Sequence, residues 1–134
     1  MSLYLVDTWY LIALLDRSEP GHRAAARLDA SIPPRSMVTH EGVLTELLAF
    51  YSGEGVRVRD LAARITRRAL REYTVVPADR ALFLRALERY ERRPDKEYSL
   101  VDCMSMVLME ERGIRHVLTN DHHFTQAGFI LVNE

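Results

Sequence analysis

Short apolar segments alternate with helix-length stretches along the whole of this chain. The apolar segments have the length and composition of buried strands, and no two of them are joined by a short hairpin turn. Strands arranged in this way pair in parallel, because a parallel neighbour needs a crossover connection and a helix usually provides it. We therefore predict a three-layer α/β/α sandwich around a central parallel sheet of four to five strands. The candidate strands are LYLVD, SMVT, YTVV, RHVLT and a last edge strand, FILV.

The length and composition fit one folding unit. The chain has 134 residues, 48% of them hydrophobic, and no linker or low-complexity tract, so we predict a single domain over residues 1–134. Its lone cysteine, Cys103, excludes an internal disulfide framework and is expected to be a small buried residue. No apolar run is long enough to cross a bilayer. We expect a cytoplasmic protein without membrane contact.

Two aspartates follow predicted strands. Asp7 comes directly after LYLV, and Asp121 follows HVLT after Thr119 and Asn120. Ligands of parallel sheets bind outside the carboxyl ends of the strands, so both positions are candidates for a site. Each aspartate also has a structural explanation, because Asp7 could start a turn and Asp121 could cap a short helix over HHFTQ.

Two further acids lie on predicted helices. Glu46 falls at the edge of an apolar helix face, near Phe50, and therefore borders the core. Asp102 lies three residues after Ser99, the spacing of a capping box. Glu41, close to a helix start, is explained by favourable interaction with the helix dipole.

The four acids together point to a cation. Held close together, four carboxylates could not all stay ionised unless a cation compensated them or some kept a proton. Oxygen ligands suit Mg²⁺ or Mn²⁺. A zinc site is disfavoured, because the tandem histidines His122 and His123 point in different directions. Neither Cys103 nor His116 has the spacing of a zinc site.

The cations offer a candidate RNA contact on one helix. Lys96 is the only lysine among 18 lysines and arginines, and the formal net charge is −1, so any attraction to RNA must be local. An arginine stripe with helical spacing could bind phosphates. The alternative is a solvated face in which Asp60 pairs with an arginine. The stripe consists of Arg64, Arg67, Arg68 and Arg71.

The sequence resembles PIN-domain ribonucleases, especially the toxin subunits of VapBC-type toxin–antitoxin pairs. The resemblance covers nearly the whole chain and depends on four motifs in a fixed order. Any one of them is weak evidence, whereas their order and placement together are fairly specific. The motifs are LVDTWYLIALLD, VTHEGVLTELL, YSLVDCMSMVLMEERG and VLTNDHHF.

The resemblance implies an Mg²⁺- or Mn²⁺-dependent endoribonuclease that hydrolyses RNA phosphodiester bonds. The acids that would bind the metal and serve catalysis are Asp7, Glu46, Asp102 and Asp121. The residues that would support them are Thr8, Ser99, Thr119 and Asn120. Thr8 could also cap the first helix. Glu41 makes the second acid slightly ambiguous, and His122 and His123 receive no role.

The resemblance also implies a small antitoxin partner, and dimers are common among such toxins. The segment TWYLIALL is apolar on more than one face, so one domain need not bury Trp9, Tyr10 and Leu14 together. Complete burial in the core is the alternative. Two other functions stay open: a PIN-like module that binds RNA or protein without cleaving it, and an RNA-processing nuclease outside toxin–antitoxin systems.

Overall fold

A computed structural model describes residues 2–134 and confirms the parallel sheet. Five strands pair in the order β3-β2-β1-β4-β5, and every neighbouring pair is parallel. Each predicted strand is present, although β5 is only two residues long. The strands are β1 (Tyr4–Val6), β2 (Met37–His40), β3 (Thr74–Val76), β4 (His116–Leu118) and β5 (Ile130–Leu131).

Helices connect the strands. The longest begins at Val56, and the helix that ends at Arg112 is followed by Gly113, whose φ of 67° suits a glycine C-cap. No helix within residues 2–134 is long and apolar enough to cross a membrane. The helices are α1 (Thr8–Leu15), α2 (His22–Ser31), α3 (Glu41–Phe50), α4 (Val56–Glu72), α5 (Arg80–Arg92), α6 (Leu100–Arg112) and α7 (His122–Gln126), and one 3₁₀ turn spans Pro34–Ser36.

The core has two halves, one on each face of the sheet. Successive strand residues point to opposite faces, so Val6 packs among residues of α1 to α4 and Leu5 packs among residues of α5 to α7. Both side chains are fully buried. The structure therefore confirms the three-layer α/β/α sandwich.

The centre of the sheet has a topological switch point. From β1 the chain adds β2 and then β3 on one side, whereas β4 and β5 lie on the other side of β1. Val6 pairs with Leu118, so the residues after these strands, Asp7 and Thr119, meet at one sheet edge. A crevice at such an edge is where open parallel sheets bind ligands.

Candidate active site

Asp7 is fixed at this crevice by the neighbouring strand. Its backbone N–H donates to the carbonyl of Leu118 (3.3 Å), and its carboxylate accepts a hydrogen bond from the Thr119 hydroxyl (2.7 Å). The same hydroxyl oxygen accepts the backbone N–H of Asp121 (3.1 Å). The Thr119 hydroxyl therefore links Asp7 to Asp121 and fixes their relative position.

Glu46 reaches the site from α3. It is exposed, and its carboxylate accepts a short hydrogen bond from the Thr8 hydroxyl. The prediction that Thr8 caps α1 is wrong, because Thr8 is the first residue of the helix and its hydroxyl is committed to Glu46. The predicted apolar neighbour Phe50 is 61% exposed, so the side of α3 that carries Glu46 faces solvent rather than the core.

Asp102 lies in the first turn of α6 and forms the capping box that its spacing predicts. Its carboxylate accepts the backbone N–H of Ser99 (3.0 Å), and its own N–H donates to the Ser99 hydroxyl (3.0 Å). One carboxylate oxygen is engaged in this way. Asp102 is nonetheless buried beside the other acids, so capping and a role in the site are compatible.

Asp121 caps α7 and also faces Asp102. Its carboxylate accepts the backbone N–H of His123 (2.9 Å). The His123 ring lies between the two acids, with Nδ1 3.1 Å from an Asp121 oxygen and 3.8 Å from an Asp102 oxygen. Ligand atoms of all three residues lie within 4.8 Å of one another, close enough to share one ion.

The electrostatics of the site favour a bound cation or a retained proton. Burial raises the pKa of Asp7 from 3.8 to about 7; the Thr119 hydrogen bond opposes this shift, and the charges of Asp102 and Glu46 reinforce it. Burial and the Asp121 charge also raise the pKa of Asp102, although its bonds to Ser99 act against the shift. A divalent cation would relieve this repulsion, and carboxylate oxygens suit Mg²⁺ and Mn²⁺.

These four acids open onto one surface depression, the acidic cleft, with a volume of about 800 Å³. No lysine or arginine among residues 2–134 lines it. Its other walls include the supporting residues Thr8, Ser99 and Asn120, together with the aromatic rings of Trp9 and Phe50. The acids that line the cleft are Asp7, Glu19, Glu46, Glu97, Asp102 and Asp121.

Glu41 lies outside the acidic cleft and has a structural bond. Its carboxylate accepts the backbone N–H of Ala78 (2.9 Å), which ties the start of α3 to the segment after β3. This contact agrees with the structural interpretation of Glu41 and makes Glu46 the acid that α3 supplies to the cleft.

Three arginines of the stripe line a second depression, the cationic cleft, of about 1010 Å³ between α1 and α4; they are Arg64, Arg68 and Arg71. Three of its arginines are paired: Arg64 with Asp60 (2.9 Å), Arg68 with Asp29 (3.0 Å), and Arg71 weakly with Glu72 (4.0 Å). Arg67 is exposed. RNA binding by the stripe stays a prediction. The arginines that line the cleft are Arg17, Arg57, Arg64, Arg68 and Arg71, and the acids Asp16 and Glu54 line it as well.

The raised pKa of Asp7 predicts a pH-dependent stability of the metal-free protein. Native Asp7 keeps its proton up to about pH 7, whereas the unfolded chain ionises near 3.8. The native state therefore binds more protons in this window, and stability falls as the pH rises through it.

Asp7→Asn should flatten this dependence and raise the free energy of unfolding at about pH 8 by about 1 kcal/mol or more. The amide oxygen can still accept the Thr119 hydrogen bond, so little else changes. Urea unfolding in chelator at about pH 5 and about pH 8 measures the effect. An identical pH dependence in the two proteins would show that Asp7 is not the responsible group.

Comparisons with known proteins support the family resemblance of the sequence. Residues 4–130 match the PIN domain family. The chain is 33% identical over 132 residues to the 23S rRNA-specific endonuclease VapC20 of Mycobacterium tuberculosis, covering 97% of this chain and 98% of that protein. The crystal structure of VapC20, described as a Sarcin-Ricin loop cleaving toxin, superposes with a TM-score of 0.86 at 32% identity, covering 98% of this chain and 99% of that one.

A more distant structure shares the fold alone. FitAcB from Neisseria gonorrhoeae superposes with a TM-score of 0.71 at 21% identity, covering 98% of this chain and 97% of that one. The sheet, its switch point and the helices on its two faces are therefore common to proteins of widely different sequence.

Proposed function

The chain belongs to the PIN domain family, and from this premise we propose that it is a divalent-metal-dependent endoribonuclease and the toxin of a toxin–antitoxin pair. The observation that carries the proposal is the convergence of Asp7, Glu46, Asp102 and Asp121 on one cleft at the switch point of the sheet. The identity of one third with an endonuclease over nearly the full length supports it.

The four carboxylates would hold Mg²⁺ or Mn²⁺. A divalent ion bound there would neutralise charge on the phosphate oxygens and lower the pKa of an attacking water. The protein orients the acids beforehand, because Thr119 hydrogen bonds to Asp7 and Thr8 hydrogen bonds to Glu46. Below about pH 7, Asp7 would keep a proton in the metal-free state, so metal binding would release it and strengthen with rising pH.

RNA would be held in the acidic cleft without direct help from cationic side chains. No lysine or arginine among the described residues lines this cleft, so neutralisation of the phosphate at the site depends on the bound ion. Phe50, which is 61% exposed, and the half-buried Trp9 offer aromatic faces on its wall. Bases stack on such faces largely regardless of sequence, and an unpaired loop presents bases in the required way.

Ribosomal RNA is the substrate class that we propose, with the cytosol as the place of action. The support is the likeness to VapC20, which is 23S rRNA-specific. Incubating the protein and Mn²⁺ with intact ribosomes, followed by mapping of RNA ends, tests this assignment. One defined cut in a ribosomal loop is the expected result, and cleavage of messenger RNA alone would refute the substrate class.

The cationic cleft is the surface that we assign to the antitoxin. Leu14, Leu15 and Leu61 form part of an apolar floor beneath its arginines, and Leu61 is 37% exposed. An apolar lining in which arginines outnumber the acids Asp16 and Glu54 fits an amphipathic segment that carries acidic residues on its edges. The first helix, α1, is only partly buried within the chain: Tyr10 is fully buried, whereas Trp9 and Leu14 are not.

Leu61→Glu should weaken antitoxin binding at least about tenfold, because it places a charge on an apolar contact. RNA cleavage by the free protein should be unchanged, since Leu61 is outside the acidic cleft. Calorimetry with the proposed antitoxin measures the binding. The matched control is Leu84→Glu on α5, which is 50% exposed and lines neither cleft. Unchanged antitoxin affinity with reduced RNA affinity would instead support RNA binding by the arginine stripe.

A further inference from the structure

The environment of His123 is unusual for a surface histidine. Its Nδ1 atom is buried and has no hydrogen-bond partner, although an Asp121 oxygen lies 3.1 Å away and an Asp102 oxygen 3.8 Å away. The Asp121 oxygen is within hydrogen-bond distance but outside hydrogen-bond geometry. The nitrogen can form ion pairs with both carboxylates only when the ring is charged, and a neutral ring leaves it without a hydrogen-bond partner in the metal-free protein.

Packing fixes the direction of the ring. The His123 ring meets the Tyr98 ring edge to face, with centroids 5.8 Å apart and planes at 79°. Tyr98 is 4% exposed and therefore a rigid support. The backbone N–H of His123 is fixed by its bond to Asp121. Packing against Tyr98 and the backbone bond to Asp121 therefore hold the nitrogen near the two carboxylates.

The distances from His123 Nδ1 to the Asp121 and Asp102 oxygens are in the range of those between two ligands of one ion. Adjacent ligands of an octahedral ion with bonds of about 2.1 Å are about 3 Å apart. The separation of 3.1 Å between Nδ1 and the Asp121 oxygen is close to this value, and the separation of 3.8 Å from the Asp102 oxygen is longer. Ligand atoms from Asp102, Asp121 and His123 all lie within 4.8 Å of one another. An ion among them would satisfy the nitrogen and reduce the repulsion between the two carboxylates.

We propose that Nδ1 of His123 is a ligand of the ion held by Asp102 and Asp121, and that this nitrogen makes the site prefer Mn²⁺ to Mg²⁺. The inference rests on the proposed function in that it assumes a divalent ion in the acidic cleft. Imidazole binds transition metals readily, whereas Mg²⁺ favours oxygen ligands and retains water. The tandem His122 is exposed and is absent from the group of close ligand atoms, so the two histidines have different roles.

Pulsed electron paramagnetic resonance of Mn²⁺ bound to the RNA-free protein tests the proposal. Wild type should show coupling of Mn²⁺ to a histidine nitrogen, and labelling of histidine with ¹⁵N should change its frequency. His123→Phe, which keeps an aromatic ring against Tyr98, should remove the coupling and weaken Mn²⁺ binding about tenfold or more, while Mg²⁺ affinity changes less. His122→Phe should retain both the coupling and the affinity.

The outcomes separate this inference from the proposed function. Bound Mn²⁺ without nitrogen coupling in wild type, or coupling that persists in His123→Phe, would overturn the role of His123 and leave the metal site intact. Absence of Mn²⁺ binding to wild type would overturn both. His123→Gln provides a second variant if the phenylalanine protein melts early, since its coupling should also be lost.

Discussion

Asp7→Asn is expected to abolish metal-dependent RNA cleavage while leaving the protein folded. Asp7 is 6% exposed at the carboxyl end of the central strand, where it faces Asp102 and Glu46. Removal of its charge takes away a proposed ligand that the Thr119 hydrogen bond holds in place. A loss of cleavage of at least about a hundredfold follows if the ion supplies several kcal/mol of transition-state stabilisation.

The measurement is single-turnover cleavage of a ribosomal RNA stem-loop in Mn²⁺, together with calorimetry of Mn²⁺ binding. The control is Glu41→Gln, which removes a carboxylate from α3 but lies outside the acidic cleft and can still accept the Ala78 N–H. Glu41→Gln should stay active. Wild-type Mn²⁺ affinity in Asp7→Asn would remove Asp7 from the metal site.

Asp121→Ser is expected to melt near the wild-type temperature and to lose most RNA cleavage. Asp121 caps α7 through the His123 N–H, and serine caps about as well as aspartate. A neutral hydroxyl cannot replace the charge of a carboxylate beside an ion. The variant should therefore keep its melting temperature and lose its cleavage rate. A purely structural role for Asp121 would leave both unchanged.

Thermal unfolding and the stem-loop assay together measure this separation. Asp79→Ser is a matched control, because Asp79 caps α5 in the same manner, accepting the Leu82 N–H, and lies outside the acidic cleft. Its cleavage rate should match wild type. Full activity in Asp121→Ser would refute the assignment of the fourth acid.

The strands, and the positions of Asp7, Asp102 and Asp121 at the ends of their elements, could be predicted because their signals are local. An apolar run that ends at Asp7 or just before Asp121 indicates a strand end, and parallel pairing brings strand ends to one edge. The Ser99–Asp102 capping box was likewise visible from a spacing of three residues. The strand ends and the capping box each depend on neighbours within one element.

The bonds that orient the acids could not be predicted, because they depend on which strands are neighbours. Thr119 and Asp7 are 112 residues apart, and Thr8 and Glu46 are 38 apart. The exposure of Phe50 could not be predicted either. The helical pattern places it near an apolar face, but only the fold shows that the end of α3 lies open at the acidic cleft.

The proposed role of His123 could not be predicted either, because it depends on a contact between two helices. Tandem histidines have no recognised ligand spacing, and only the fold shows that Asp102, contributed by another helix, faces the His123 nitrogen. The pairing of Arg68 with Asp29, 39 residues away, shows the same limit: the helical spacing identified the stripe but not its partners.

Chelation and reconstitution of the wild-type protein on a 23S rRNA stem-loop test the central claim most directly. We expect EDTA to stop cleavage and excess Mn²⁺ to restore it at the same phosphodiester bond. Asp7→Asn should stay inactive under every condition. Cleavage that persists in EDTA, or equally in Asp7→Asn, would contradict a metal-dependent ribonuclease centred on the acidic cleft.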